Sequence, residues 1–415
     1  MKTRIALILA ILMLVLCAAG CKAKTAPAAE ATPASTEAPA TEAPATEAPA
    51  TEAPATEAPA EEHPDTELPE ISAEDPLPDG EVDEEVFASW NDVAPALDLL
   101  IEYVETVTDE SSPDFIPVDR RIAVFDMDGT IYGELFPTYL EYYMLAWRIL
   151  ADPTFTADEE LKAVAEEIRA GGPTHTYAGD MALRHANAAA KAYAGMTVTE
   201  FRNYVTQFLV RDADGFEGMT YGQAFYRPIV EVIDYLTENN FTVYVVSGSD
   251  RYICRELFEG MVDVPSDHFI GMDVALEASG QGDKDSLDYT FQPGDELVRT
   301  DRLQVKNLKT NKVTAIMREI GKQPVLSFGN SSGDSAMHLY TISNNPYKSL
   351  AFMLIADDGA RDYGHPEKGD ELRAKWEALG FNVISMRDDF KTIYGENVRK
   401  TGTFRWTEEL GGNAN

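Results

Sequence analysis

The run Ile122-Ala-Val-Phe125 leads straight into Asp126-Met-Asp128-Gly129-Thr130, and this junction constrains the fold more than any other stretch of the chain. Four strand-forming residues with no polar interruption read as a strand buried on both faces, the kind found in parallel sheets. Such a strand needs crossover connections and helices on either side, so the expected class is α/β. Alternation along an extended chain puts Asp126 and Asp128 on one side of the strand end. Gly129 then permits a sharp turn, and Thr130 adds a hydroxyl. Two carboxylates held together there can bind a divalent cation and divide nucleophilic from acid–base work.

Other segments extend the same sheet. Pro228 opens a helix, Ile229–Asn239, followed by the apolar run Phe241–Val246. Pro324–Phe328, Leu350–Ile355 and Phe381–Ile384 repeat the pattern. A helix over Asn91–Thr108 precedes the first strand, with Leu97, Leu100, Ile101 and Val104 at helical spacing. Between the first two strands the texture is helical: Phe136–Leu150, Ala157–Ala170, Ala178–Ala194 and Thr199–Val210. Residues 285–305 alternate around Pro293-Gly-Asp and predict an added hairpin.

Chemistry is expected where the strands stop, because open α/β sheets bind ligands beyond their carboxyl ends. The second strand runs into Ser247-Gly248-Ser249-Asp250, where a hydroxyl and an amide can donate to phosphate oxygens. The third runs into Gly329-Asn330-Ser-Ser-Gly333-Asp334. Lys312 stands at the start of the helix leading into that strand, with Lys306 and Lys309 nearby.

These four motifs, in this order, resemble those of the haloacid dehalogenase superfamily. The layout resembles its phosphoserine phosphatase and phosphorylcholine phosphatase group, as do Gly195-Met-Thr-Val-Thr-Glu-Phe201 and Lys312…Pro324-Val-Leu. The resemblance implies a Rossmann-like core with a helical cap inserted after the first strand. It implies phosphomonoester hydrolysis with Asp126 as nucleophile and Asp128 as acid–base. Thr130, Ser247, Gly248 and Lys312 would take the phosphate. Mg2+ would sit on Asp126, Asp128 and Asp334, with Asn330 standing where the group usually has a second aspartate. Glu134 and Tyr132 would face the leaving group. The acids and aromatics after the first motif, Glu134, Glu141, Tyr139, Tyr142, Tyr143 and Trp147, would suit an amine such as that of phosphocholine or phosphoserine. Phosphotransfer to another alcohol, or a binding protein that kept the fold and lost catalysis, are the alternatives.

The amino-terminal quarter is of another kind. Lys2 and Arg4 precede the apolar run Ile5–Leu16, a secretory leader over residues 1–20. Ala18-Ala-Gly-Cys21 resembles a bacterial lipoprotein cleavage site, with Ala18 where Leu is usual. Cys21 would carry lipid and hold the protein on the outer side of a cell membrane. Thr36-Glu-Ala-Pro-Ala40 then recurs up to Ala60. A proline every fifth position and repeated glutamates predict a solvated, extended spacer over residues 21–78. The expected division of the rest is 79–131 for the first helix and strand, 132–225 for the cap, 226–400 for the remaining core, and 401–415 for a tail. With Cys21 modified and Cys17 removed, Cys254 has no partner for a bridge. The chain carries 71 acidic and 34 basic residues, a net charge of −37, and no basic stripe for nucleic acid. A phosphate site on such a chain has to build its own positive charge.

Overall fold

Among the described residues the chain forms nine strands: β1 Ile122–Phe125, β2 Phe216–Glu217, β3 Thr242–Asp250, β4 Phe269–Ala278, β5 Leu297–Val305, β6 Leu326–Gly329, β7 Leu350–Ile355, β8 Asn382–Ser385 and β9 Arg399–Lys400. The computed structural model describes residues 86–134, 137–172 and 176–411. The leader, Cys21 and the spacer lie outside the described residues, as does Phe136, the expected start of the first cap helix.

Seven strands make one sheet in the order β5-β4-β3-β1-β6-β7-β8. All neighbours run parallel except β4 and β5. β1 lies at the centre, paired with β3 on one side and β6 on the other. The chain builds outward from β1 through β3 and β4, then crosses back to build β6, β7 and β8. The strand order therefore reverses at β1, and a crevice opens beyond its carboxyl end. Every residue of β1 and β6 is buried, which explains the unbroken apolar run of β1; in β6 the one hydroxyl, Ser327, is bonded to His338 Nδ1 at 2.8 Å. Phe125, Phe328 and Phe352 stand in register on three adjacent strands, with ring centroids 4.2 and 4.9 Å apart. Each such ring pair contributes about 0.5–1.5 kcal/mol beyond its buried area.

Four helices separate β1 from β2: Leu140–Leu150, Glu159–Gly171, Met181–Ala192 and Val198–Leu209. Asp158 starts the second by accepting from the Leu161 amide at 2.8 Å. Thr197 and Glu200 form a reciprocal capping box on the fourth.

One expectation about the strands needs correcting. The hairpin is not centred on Pro293: β5 pairs antiparallel with β4, and residues 279–296 form the connection. Within it the Asp295 carboxylate accepts from the Gly280 and Gln292 amides and the Tyr289 hydroxyl, so local side-chain bonds replace a strand ladder. This hairpin also fastens the helical insert. Gly195 N–H donates to Arg299 O and Arg299 N–H to Met196 O, both at 2.8 Å. The Arg299 guanidinium lies over the Phe201 ring and bonds Asp250 at 2.6 Å. The chain past the sheet is packed as well. β9 pairs with β2, and buried Trp406 packs on Tyr143, with the Arg405 and Trp406 amides held by Asp214.

Candidate functional site

Asp126 continues β1 by one residue, its amide donating to Phe328 O at 2.9 Å. The chain then reverses. Gly129 takes φ +80°, and its amide donates to Tyr132 O at 2.6 Å. A Cβ on Gly129 would fall 1.9 Å from Asn330 Nδ2, so both the conformation and the close approach of the β6 loop require glycine.

Lys312 comes up from the first turn of helix Thr310–Glu319 and is wholly buried. Its ammonium bonds Asp126 Oδ1 and, at 2.7 Å, Asp334 Oδ1. Asp334 Oδ2 accepts from the Asn330 amide (3.2 Å), the Ser331 amide (3.0 Å) and the Ser331 hydroxyl (3.1 Å). One buried cation thus faces two buried carboxylates. Burial alone would raise both acids. At Asp334 the Lys312 charge and these hydrogen bonds outweigh burial and hold the carboxyl below its ordinary range. At Asp126 burial and the Asp334 charge win, and the carboxyl is pushed up to about 8. Lys312 is held above its ordinary value: burial works against its charge, but Asp126 and Asp334 more than offset it.

Asp128 shares a cavity of about 290 Å3 with Asp126 and Asp334. Burial pushes its carboxyl up to about 6, against a 2.7 Å bond from Ser249 Oγ that favours the charged form. A group so placed can hold and release a proton near neutral pH. Ser249 was not singled out by the sequence, although it belongs to the same Ser247–Asp250 run at the end of β3.

The remaining expected site residues divide. Gly248 and Asn330 line the cavity. Ser247 lies behind it, fully buried, its Oγ accepting the Ser249 amide at 3.0 Å. Thr130 is buried with no hydrogen-bond partner for its hydroxyl among the described residues, which leaves a donor to spare. Glu134 accepts from Asn330 Nδ2 at 2.9 Å and from the Tyr139 hydroxyl at 3.3 Å, and burial pushes it up to about 7. It braces the loop and does not line the cavity. Tyr132 does not meet the expectation. The turn at Gly129 folds it inward, where it is fully buried, donates to Tyr221 O at 2.7 Å and packs edge-on against Phe225. Tyr139 and Tyr142 line the cavity, while Tyr143 and Trp147 pack against Phe208 within the insert. Of the three neighbouring lysines, Lys312 reaches Asp126, whereas Lys306 and Lys309 line the cavity. A larger hollow of about 410 Å3 beside Val198, Tyr252 and Phe258 brings together no comparable set of acids and a buried lysine.

The donor set suits a hard divalent cation. Asp126, Asp334 and Asn330 line one cavity and offer it oxygen donors. Among the described residues no three His, Cys, Asp or Glu side chains are placed to hold a metal by themselves. Two carboxylates completed by carbonyl or amide oxygens and water is the habit of Mg2+.

No family model and no curated protein matches the chain. Among solved structures it is similar to a functionally unknown protein from Anaerococcus prevotii DSM 20548, at 14% identity over 71% of this chain and 92% of that one, with a TM-score of 0.43. It is similar to cytosolic 5'-nucleotidase IIIB bound to cytidine, at 12% identity over 69% and 84%, TM-score 0.41. It is also similar to a phosphoserine phosphohydrolase-like protein from Francisella tularensis subsp. tularensis SCHU S4, at 12% identity over 61% and 92%, TM-score 0.34. Likenesses this distant say nothing of activity or substrate. The molecule itself shows an α/β fold: a mostly parallel sheet that reverses at β1, a helical insert after that strand, and Asp126, Ser247, Lys312 and Asp334 near strand ends or in a helix's first turn.

Proposed function

We propose that the chain is a Mg2+-dependent phosphomonoester hydrolase that works through an aspartyl-phosphate on Asp126. The observation that carries this reading is the pairing of Asp126 with buried Lys312 and Asp334, in one cavity with Asp128. Lys312 keeps Asp126 oriented and offsets part of the repulsion between an anionic nucleophile and an anionic ester. Asp126 attacks phosphorus, and the departing alkoxide takes the proton that Asp128 retains. Asp128, now charged, accepts a proton from water, which hydrolyses the acyl phosphate and restores Asp126. Of the donors expected for phosphate oxygens, the Gly248 amide belongs to a residue lining the cavity, while Lys312, Ser247 and Thr130 are buried outside its lining and would act from behind it. Asp126, Asp334, the Asp128 carbonyl and Asn330 would hold Mg2+, whose charge would neutralise what Lys312 leaves uncompensated.

The substrate is a small organic phosphate, to suit the cavity. An amine-bearing ester such as phosphocholine or phosphoserine is the expectation carried over from the sequence. Tyr139, Tyr142 and Glu141 do line the cavity, although Lys306 stands against Glu141 there. We further propose that lipid on Cys21 and the spacer hold this domain on the extracytoplasmic face of a bacterial membrane. No helix among the described residues is long and apolar enough to cross one.

The test is turnover of p-nitrophenyl phosphate with Mg2+ and with chelator, by wild type and Asp126→Asn. Metal-dependent turnover that vanishes in Asp126→Asn supports the reading. No turnover by folded wild type, or full turnover by Asp126→Asn, overturns it.

A further inference from the structure

Two side chains that the reaction leaves unused line the cavity beside Asp128. Glu141 comes from the first turn of helix Leu140–Leu150, and Lys306 directly follows β5. Both share this cavity with Asp128, and their charges act on it, Glu141 raising and Lys306 lowering its proton affinity. Glu141 is only 5% exposed. Its Oε2 stands 3.6 Å from Lys306 Nζ, and its Oε1 has no hydrogen-bond partner among the described residues. Buried polar atoms are seldom left without a partner, and at a binding site the missing donor is supplied by the ligand.

The charges at this end of the cavity disfavour a cation. Lys306 already compensates Glu141. Lys309 lines the same cavity and makes no ion pair among the described residues. An ammonium brought to Glu141 would meet Lys306, 3.6 Å from that carboxylate, in a cavity that Lys309 also lines. A hydroxyl fits better, because it can donate to Glu141 Oε1 and accept from Lys306 at once. The rings of Tyr139 and Tyr142, edge to face at 5.6 Å, supply an apolar wall for the carbon skeleton.

We propose that Glu141 and Lys306 form the leaving-group subsite and select an uncharged, hydroxyl-bearing alcohol, a polyol or sugar, over an amine. The proposal rests on the phosphomonoesterase reading. An alcohol with no second hydroxyl leaves buried Glu141 Oε1 without a donor, the situation in which sites discriminate most strongly.

The experiment compares kcat/KM for glycerol phosphate, phosphoethanolamine and p-nitrophenyl phosphate in wild type, Glu141→Gln, Lys306→Gln and the double variant. Ratios between substrates on one preparation do not depend on its folded fraction, so loss of stability in a variant does not obscure the result. Wild type should favour glycerol phosphate over phosphoethanolamine by about tenfold or more. Glu141→Gln should lower the ratio of glycerol phosphate to p-nitrophenyl phosphate by about tenfold, as expected for a lost hydrogen bond to a charged group. Lys306→Gln uncovers the Glu141 charge and should shift selectivity toward phosphoethanolamine, and the double variant should lose both preferences. Preference of wild type for phosphoethanolamine, or selectivity unmoved by Lys306→Gln, overturns the subsite while leaving the hydrolase reading standing. Absence of turnover on all three esters overturns both.

Discussion

Replacing Asp126 with Asn should abolish turnover and stabilise the fold. Two carboxylates share Lys312 in a buried setting, and the second is already saturated by Lys312, Asn330 and Ser331. Asp126 is the acid that burial and its neighbour disfavour, with its carboxyl raised from 3.8 to about 8. The sign follows from linkage. Between those values the unfolded chain gives up the proton that the folded chain keeps, so stability is lost as pH rises through the window. Four units at about 1.36 kcal/mol each set a ceiling of roughly 5 kcal/mol above pH 8. Asparagine carries no charge at any pH, but its amide must also be desolvated, so the expected gain is about 2–4 kcal/mol at pH 8. Near pH 4 the gain should vanish. Thermal and urea unfolding with chelator, at both pH values, measure it directly. Mg2+ should then stabilise wild type and close the gap, because only wild type keeps both carboxylates. Equal or lower stability of Asp126→Asn at pH 8, or a gain independent of pH, would refute the electrostatic account.

Ser249→Ala removes the bond that favours charged Asp128, so its carboxyl should rise above about 6. The alkaline limb of kcat/KM against pH should then move up by about one unit, and an unmoved limb would separate Asp128 from leaving-group protonation. Asp334→Ala should weaken Mg2+ activation far more than Asn330→Ala, because Asp334 is the only carboxylate in its loop; activation curves in the reverse order would mean the ligands are misassigned. Cys21→Ser should appear in the soluble fraction of fractionated cells, and a processed variant still bound to membranes would contradict the lipid anchor.

Much of the core was legible because buried parallel strands announce themselves. β1 and β7 are unbroken apolar runs, β3 and β6 are mostly apolar up to their carboxyl ends, and an acid, serine or lysine near a strand end or at a helix start marks chemistry in an open sheet. β4 was hidden by Gly271, Asp273 and Glu277 along its length, and β5 by its polar residues. β5 is an edge strand, with only Arg299 fully buried, and its antiparallel partner cannot be inferred from local pattern. The same limit applies to the site. Ser249 meets Asp128 across 121 residues, and Lys306 meets Glu141 from beyond the hairpin that the sequence misplaced. Tyr132 was misread for a different reason. Aromatics after a motif suit a pocket or a core equally well, and only the reversal at Gly129 decides between them.

The most direct test of the central claim is to find the phosphoryl group on the enzyme. Wild-type protein mixed with p-nitrophenyl phosphate and Mg2+, quenched in acid during turnover and digested, should yield a phosphorylated peptide containing Asp126. The modification should be sensitive to hydroxylamine, as an acyl phosphate is, and absent from Asp126→Asn. Phosphate found on a serine, threonine or histidine instead, or turnover with no trapped phosphoenzyme even where Asp128→Asn blocks its hydrolysis, would contradict a nucleophilic Asp126.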